Sequence, residues 1–157
     1  MKILMDSDCL IKLTKAGIKE DIFKHYEVTI PATVKKEVVD PGKIKGVPDA
    51  DLVEENINKD IIRVVGKESS IRIKGEQALI EFFKRGRYDV IASDDAKLIT
   101  LLRSIGIRFI LPGLLIYSIF RENVINKETA LNWLEKLSTF ISEDEYSMIK
   151  FLLEEKS

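Results

Sequence analysis

Two short acidic segments, each preceded by a run of apolar residues, carry the side chains best suited to chemistry in this chain. The segment DSD at 6–8 follows the run KILM, and the segment SDD at 93–95 follows the run DVIA. If these runs form neighbouring strands of a parallel sheet, a strand spacing of about 4.8 Å brings the carboxylates of Asp6 and Asp94 together. Carboxylates about 4 Å apart repel by about 4 kcal/mol at an effective dielectric constant of about 20, and a cation would relieve that repulsion. Oxygen ligands favour Mg²⁺ or Mn²⁺ over zinc.

Helix capping is the alternative explanation for both segments. Ser and Asp are common N-cap residues, and acids in a first turn interact favourably with the helix dipole. In the first segment we assign the cap to Asp8 and the chemistry to Asp6, because a cap needs only one acid. In the second segment, Asp94 and Asp95 are candidates for both roles, with Ser93 beside them.

Two glutamates and a basic segment complete the set of candidate residues. Glu37 is expected on a helix, where it is either solvated or turned toward the acidic segments. Glu76 is expected at a helix start, where it either stabilises the helix dipole or joins the site. Lys67, Arg72 and Lys74 are expected in a loop on the same side of the sheet, where they either hold a phosphate backbone or are ordinary solvated residues.

A parallel sheet is needed to bring these residues together, and the alternation of short β-type runs with helical runs predicts one. We expect five strands, at 2–5, 26–30, 61–65, 89–92 and 107–111. We expect helices at about 8–17, 19–24, 31–39, 48–60, 75–86, 93–106, 112–122, 126–141 and 142–156. Right-handed crossovers place helices on both faces, which predicts a three-layer α/β/α fold with a central five-stranded, mostly parallel sheet and additional C-terminal helices. In such sheets functional residues collect beyond the carboxyl ends of the strands, where the strand order reverses.

The composition limits the possible classes of function. The 157 residues fit a single domain, which we divide into a core at 1–112 and a helical extension at 113–157 packed on it. The formal net charge of −1 argues against strong indiscriminate binding to nucleic acid. Cys9 and His25 are the only cysteine and histidine, which excludes an internal disulfide and a zinc site built from several such residues. The longest apolar stretch is shorter than the about 20 residues of a membrane span, so we expect a cytoplasmic protein that does not bind a membrane.

Five segments of the chain, taken in order, resemble the PIN-domain family of metal-dependent ribonucleases. They run from the N-terminus to about Pro112 and read ILMDSDCLIKL, IPATVKKEVV, KGEQALIEFF, YDVIASDDAKL and SIGIRFILPG. The resemblance implies a parallel sheet with helices on both faces and an acidic cluster that binds one or two Mg²⁺ or Mn²⁺ ions. It implies catalytic and metal-binding roles for Asp6, Glu37, Asp94 and Asp95, a metal-binding role for Glu76, and supporting roles for Asp8 and Ser93.

The resemblance implies a metal-dependent endoribonuclease that hydrolyses phosphodiester bonds of RNA with a metal-activated water. Lys67, Arg72 and Lys74 are then candidate RNA-binding residues. VapC-type toxins, which are small members of the family, often carry another aspartate after the fifth strand, where this chain reads RFILPG. A toxin role with an antitoxin protein as partner follows from the resemblance alone. The apolar C-terminal helices either cover the sheet or form a homodimer surface.

Two further functions are compatible with the residues. In a phosphatase of the haloacid-dehalogenase type, Asp6 would be the nucleophile and Asp8 the acid. That family has a turn and a flap after its aspartates, whereas this chain is expected to enter a helix at once. The other alternative is a non-catalytic scaffold of PIN type that binds RNA or a protein.

Overall fold

The central feature of the fold is a five-stranded parallel sheet. The computed structural model describes residues 1–31, 62–65 and 75–155. Within these residues the strands are β1 (Lys2–Met5), β2 (Glu27–Pro31), β3 (Ile62–Val65), β4 (Val90–Ala92) and β5 (Phe109–Ile110). Their order in the sheet is β3-β2-β1-β4-β5, and every neighbouring pair is parallel. The predicted sheet is confirmed, although β5 is shorter than the expected 107–111.

The strand order reverses at β1, and this position determines where a site can form. The chain builds outward from β1 to β2 and β3, then returns to add β4 on the other side of β1. The register pairs Leu4 of β1 with Thr29 of β2 on one side and with Ile91 of β4 on the other. The loops after β1 and β4 therefore leave the sheet next to each other at its carboxyl edge, which is the expected location of a ligand site.

The helices connect and cover these strands. They are α1 (Ser7–Lys15), α2 (Lys19–His25), α3 (Gly75–Arg85), α4 (Ala96–Ile105), α5 (Pro112–Arg121), α6 (Lys127–Leu137) and α7 (Glu143–Glu155). Gly17 and Gly106 follow α1 and α4 with φ of +73° and +75°, a backbone conformation that glycine adopts without a steric penalty. The long helix expected at 126–141 is instead α6 followed by a short 3₁₀ helix, Ser138–Phe140.

The apolar core lies on both faces of the sheet, as alternating strand residues require. On one face, Leu4 and Ile91 pack with Leu79 of α3 and with Leu98 and Leu102 of α4. On the other face, Ile3 and Met5 belong to a larger cluster formed with α1, α2 and the three C-terminal helices. The members from these helices include Leu10, Leu13, Ile22, Leu115, Ile119, Leu134, Ile149 and Leu153. This distribution confirms the three-layer architecture.

Some predicted features lie outside the described residues. They are the helices expected at 31–39 and 48–60 and the basic loop from Gly66 to Lys74. Four candidate site residues belong to these segments, namely Glu37, Lys67, Arg72 and Lys74.

Candidate active site

Asp6 and Ser93 are the first residues beyond two neighbouring strands, and the sheet itself positions them. The backbone N–H of Asp6 donates to the carbonyl of Ala92 at 3.1 Å, which continues the pairing of β1 with β4. The backbone N–H of Ser93 donates to the carbonyl of Ile110 at 3.1 Å, which continues the pairing of β4 with β5. The two acidic segments therefore meet at the carboxyl edge of the sheet, as the sequence predicts.

The carboxylate of Asp6 is buried and held at both oxygens. Its Oδ1 accepts a hydrogen bond from the backbone N–H of Cys9 at 2.9 Å, and its Oδ2 accepts one from the hydroxyl of Ser93. Asp6 is thus the N-cap of α1. The assignment of the cap to Asp8 was wrong, because α1 begins at Ser7, one residue earlier than expected, and Asp8 lies exposed in the first turn.

Burial dominates the acid–base behaviour of Asp6. It raises the pKa of the carboxyl from 3.8 to about 7, because the charged form is poorly solvated. The hydrogen bonds from Ser93 and Cys9 lower the pKa of Asp6, whereas the charges of Asp8 and Asp94 raise it. A carboxyl with a pKa near 7 is easily stabilised in its ionised form by any cation that reaches it.

Asp94 is close enough to Asp6 for its charge to act on that carboxyl, and its side chain is only 8% exposed. Its Oδ2 forms an ion pair with the ammonium of Lys12, which projects from α1. Its Oδ1 is buried and has no hydrogen-bond partner in the part of the chain that the structure describes. Burial opposes the ammonium form of Lys12, but the hydrogen bond and the charge of Asp94 outweigh it and raise the pKa of Lys12. No sequence pattern identifies Lys12 as the partner of Asp94, because a lysine on an amphipathic helix gives no signal of its own.

Asp95 and Ser93 organise the turn that carries Asp94. Asp95 is the N-cap of α4, and its Oδ1 accepts from the backbone N–H groups of Lys97 at 2.9 Å and Leu98 at 3.3 Å. The hydroxyl of Ser93 accepts from the backbone N–H of Asp95 at 3.1 Å while it donates to Asp6. The adjacent acids therefore have different surroundings: Asp95 caps a helix, whereas Asp94 points toward Lys12.

A third buried acid, Glu145 in the first turn of α7, reaches the same edge of the sheet. It is 7% exposed, and its Oε2 accepts a hydrogen bond from the backbone N–H of Gly113 at 2.9 Å. Burial raises the pKa of Glu145, the Gly113 N–H lowers it, and the charge of Asp94 raises it further. No sequence pattern identifies Glu145 as a residue of this edge, because its partner lies in another helix and no spacing rule connects the two.

An open cleft of about 380 Å³ lies between α4 and α7. Asp94 and Glu145 both line it, together with Arg103 and apolar residues that include Ile99, Leu111 and Met148. The two acids therefore face a common space that a small ligand can enter.

Glu76 lies in the first turn of α3 and is partly exposed. Among the described residues it forms no hydrogen bond or ion pair with Asp6 or Asp94. Its role as a metal ligand stays a prediction.

A match to a protein-family model identifies the family of the chain. A family model, DUF3368, described as a PIN domain, matches residues 2–155. The chain belongs to the PIN-domain family. Membership gives this PIN domain a nuclease fold, and the match extends through the C-terminal helices. No curated protein and no solved structure matches the chain significantly. No helix among the described residues is long and apolar enough to cross a membrane.

Within the described residues, the side chains of the candidate site carry the type of donor atom that a divalent cation binds. The available donors are carboxylate and hydroxyl oxygens, which Mg²⁺ and Mn²⁺ prefer, and one of them, Asp94 Oδ1, is buried without a partner among the described residues. No group of three His, Cys, Asp or Glu side chains within these residues is arranged to hold a metal ion. One or two protein carboxylates are nevertheless enough for Mg²⁺ when water and substrate phosphate complete its shell.

Proposed function

We propose that this PIN domain is a divalent-metal-dependent endoribonuclease whose site is centred on Asp6 and Asp94. The observation that carries the proposal is the buried Oδ1 of Asp94, which has no partner within the described residues, in a residue whose charge acts on the buried carboxyl of Asp6. Leaving a buried carboxylate oxygen unpaired costs about 1–3 kcal/mol or more. A protein that binds a cation at this position recovers that cost when the cation binds.

Four residues that the structure describes have roles in this proposal. Asp6 and Asp94 hold Mg²⁺ or Mn²⁺, and Ser93 fixes the orientation of the Asp6 carboxylate through its hydroxyl. Asp95 positions Asp94 by capping α4. When bound, the cation supplies an activated water for attack on the phosphodiester and neutralises charge on the leaving oxygen. Glu37 is assigned to the same site by the family resemblance, and it lies outside the described residues.

Two observations favour a nuclease over a phosphatase of the haloacid-dehalogenase type. Helix α1 begins at Ser7, immediately after Asp6, so no turn and flap follow the first aspartate. Asp8 is exposed and forms no hydrogen bond with Asp6 within the described residues, whereas the phosphatase chemistry needs it as the acid. The non-catalytic scaffold is the alternative that the following experiment tests.

The test measures cleavage of a fluorescent single-stranded RNA with Mn²⁺, using wild type, Asp6→Asn and Asp94→Asn. We expect cleavage by wild type and a loss of at least about a hundredfold in both variants, because each removes a charge that holds the cation. Asp89→Asn is the matched control. Asp89 precedes β4 at the opposite edge of the sheet and accepts a hydrogen bond from the backbone N–H of Lys2 at 2.7 Å, which an amide oxygen can also accept.

Three results would contradict the proposal. Equal cleavage by wild type and Asp6→Asn would indicate a contaminating nuclease. RNA binding without cleavage, with Mn²⁺ or Mg²⁺ present, would identify a scaffold. Rapid hydrolysis of p-nitrophenyl phosphate would favour the phosphatase.

A further inference from the structure

Glu145 differs from the other acids of α7 in its surroundings. Glu143 and Asp144 in the same turn are exposed, whereas Glu145 is 7% exposed. An ionised carboxyl is rarely buried to this degree unless it is paired or binds a cation.

The sequence around Glu145 predicts a different and purely structural role. Ser142 and Glu145 have the S-x-x-E spacing of a capping box, in which the glutamate reaches back to the N-cap residue. One half of that box is present, because the backbone N–H of Glu145 donates to the hydroxyl of Ser142 at 3.1 Å. The carboxylate of Glu145 departs from the pattern, because its Oε2 is bound to the N–H of Gly113 instead.

The contact with Gly113 places Glu145 at the carboxyl edge of the sheet. Gly113 lies in the first turn of α5, directly after β5. A methyl group in place of its hydrogen would lie 2.7 Å from Cγ1 of Ile149 and 3.2 Å from Oε2 of Glu145. The close approach of α7 to this edge therefore depends on the glycine. Asp6, Asp94 and Glu145 follow the strand order β1, β4 and β5 along one edge.

Asp94 provides an independent sign that a ligand belongs here. It shares the cleft with Glu145, its side chain is more than nine-tenths buried, and its Oδ1 has no partner within the described residues. The only positive side chain bound to Asp94 in that part of the chain is Lys12, which occupies Oδ2.

We propose that Glu145 joins Asp94 in binding the divalent cation, so that the C-terminal helix α7 is part of the active site. This inference rests on the proposed function, because it assigns a further residue to the same site. With Asp6 and Asp94 of the proposed function, this makes three carboxylates at the site, of which a single Mg²⁺ ion needs only one or two.

The test is calorimetric titration of MnCl₂ into the metal-free full chain, with wild type, Glu145→Gln, Asp94→Asn and Glu143→Gln. We expect Glu145→Gln to weaken Mn²⁺ binding about 10–100-fold, the loss typical of residues that support a metal site. The glutamine oxygen can still accept from Gly113, so thermal stability in EDTA should be retained. Glu143→Gln removes the same charge from an exposed position in the same turn and should leave the affinity unchanged.

A second measurement does not depend on how the variants fold. Broadening of NMR signals by Mn²⁺ falls off steeply with distance, so at substoichiometric Mn²⁺ we expect the backbone amide signals of Gly113 and Glu145 in wild type to broaden as strongly as that of Asp94. Broadening near Asp94 that spares these two amides would overturn the inference.

The outcomes separate this inference from the proposed function. If Mn²⁺ binding is lost in Asp94→Asn but unchanged in Glu145→Gln, the role of Glu145 is overturned and the nuclease proposal stands. If wild type binds no Mn²⁺, the role of Glu145 is also overturned, and RNA cleavage alone decides the proposed function.

Discussion

At the scale of single residues, the buried carboxyl of Asp6 makes the stability of the metal-free protein depend on pH. Its pKa is 3.8 in the reference state and about 7 in the folded protein. The folded state therefore holds the proton more tightly, and ionisation destabilises it increasingly as the pH rises from about 4 to about 7. At about pH 8 the ionised carboxyl of Asp6 lowers the free energy of unfolding by up to about 4 kcal/mol. We expect Asp6→Asn to recover much of that free energy at about pH 8 and little of it below about pH 4.

Urea denaturation in EDTA, performed at several pH values, checks this expectation. Asparagine is also a good N-cap, so α1 should keep its first hydrogen bond. Asp89→Asn serves as the control and should show no comparable gain. A stabilisation by Asp6→Asn that is independent of pH would show that the burial of charge is not its cause.

Lys12 is the counter-ion of Asp94. In the metal-free protein, Lys12→Met leaves a buried carboxylate without its cation, which should cost about 1–3 kcal/mol. For a chain of this size that lowers the melting temperature by about 2–4 °C per kcal/mol. The same variant should bind Mn²⁺ more tightly, because Lys12 no longer competes for Oδ2 of Asp94. Thermal melts and calorimetry test both effects.

Lys15→Met is the matched control, because Lys15 is exposed in the last turn of the same helix. It should change neither the melting temperature nor the Mn²⁺ affinity. Weaker Mn²⁺ binding by Lys12→Met would contradict competition between the ammonium and the metal.

At the scale of elements, the packing of α7 on α5 depends on Gly113. Gly113→Ala would favour α5 by about 1 kcal/mol through helix propensity alone. The added methyl group would lie 2.7 Å from Cγ1 of Ile149, so we expect a net destabilisation of about 1–3 kcal/mol. Ile149→Ala removes the atom that clashes. In that background, Gly113→Ala should cost much less, and a double-mutant cycle measured by urea denaturation isolates the coupling. Equal costs in the two backgrounds would exclude Ile149 as the source of the strain.

Local sequence patterns predict some features of the helices and not others. Glycines at 17 and 106 mark the ends of α1 and α4 correctly, because a left-handed residue is a local requirement. The sequence does not decide whether Asp6 or Asp8 is the N-cap of α1, because either residue can cap a helix. The start of α1 at Ser7 identifies Asp6 as the cap. The carboxylate of Glu145 departs from the capping-box position that its spacing from Ser142 predicts, because it binds Gly113, which lies 32 positions earlier in the chain.

At the scale of the whole molecule, the parallel sheet was predictable because its strands and helices can be recognised from the local periodicity of their apolar residues. The meeting of Asp6 and Asp94 followed from topology alone, since parallel strands that leave the same edge bring distant segments together. The sequence does not predict which side chains from different helices and strands contact each other at this edge of the sheet. The pairing of Lys12 with Asp94 and of Glu145 with Gly113 depends on the packing of α1 and α7, and that packing is set by the assembled core.

We expect the C-terminal helices to be part of the folding unit. Leu115, Leu134 and Ile149, one from each of these helices, are completely buried in the same cluster as Ile3 and Met5 of the central strand. A chain ending at Pro112 would expose that face of the sheet, together with the apolar sides of α1 and α2. We therefore expect residues 1–112 alone to lack a cooperative thermal transition and to bind the dye ANS, as a loosely packed chain does. A sigmoidal melt without dye binding would show instead that 113–157 is an addition to an independent core, and the active-site role proposed for α7 would then have to be carried by an accessory segment.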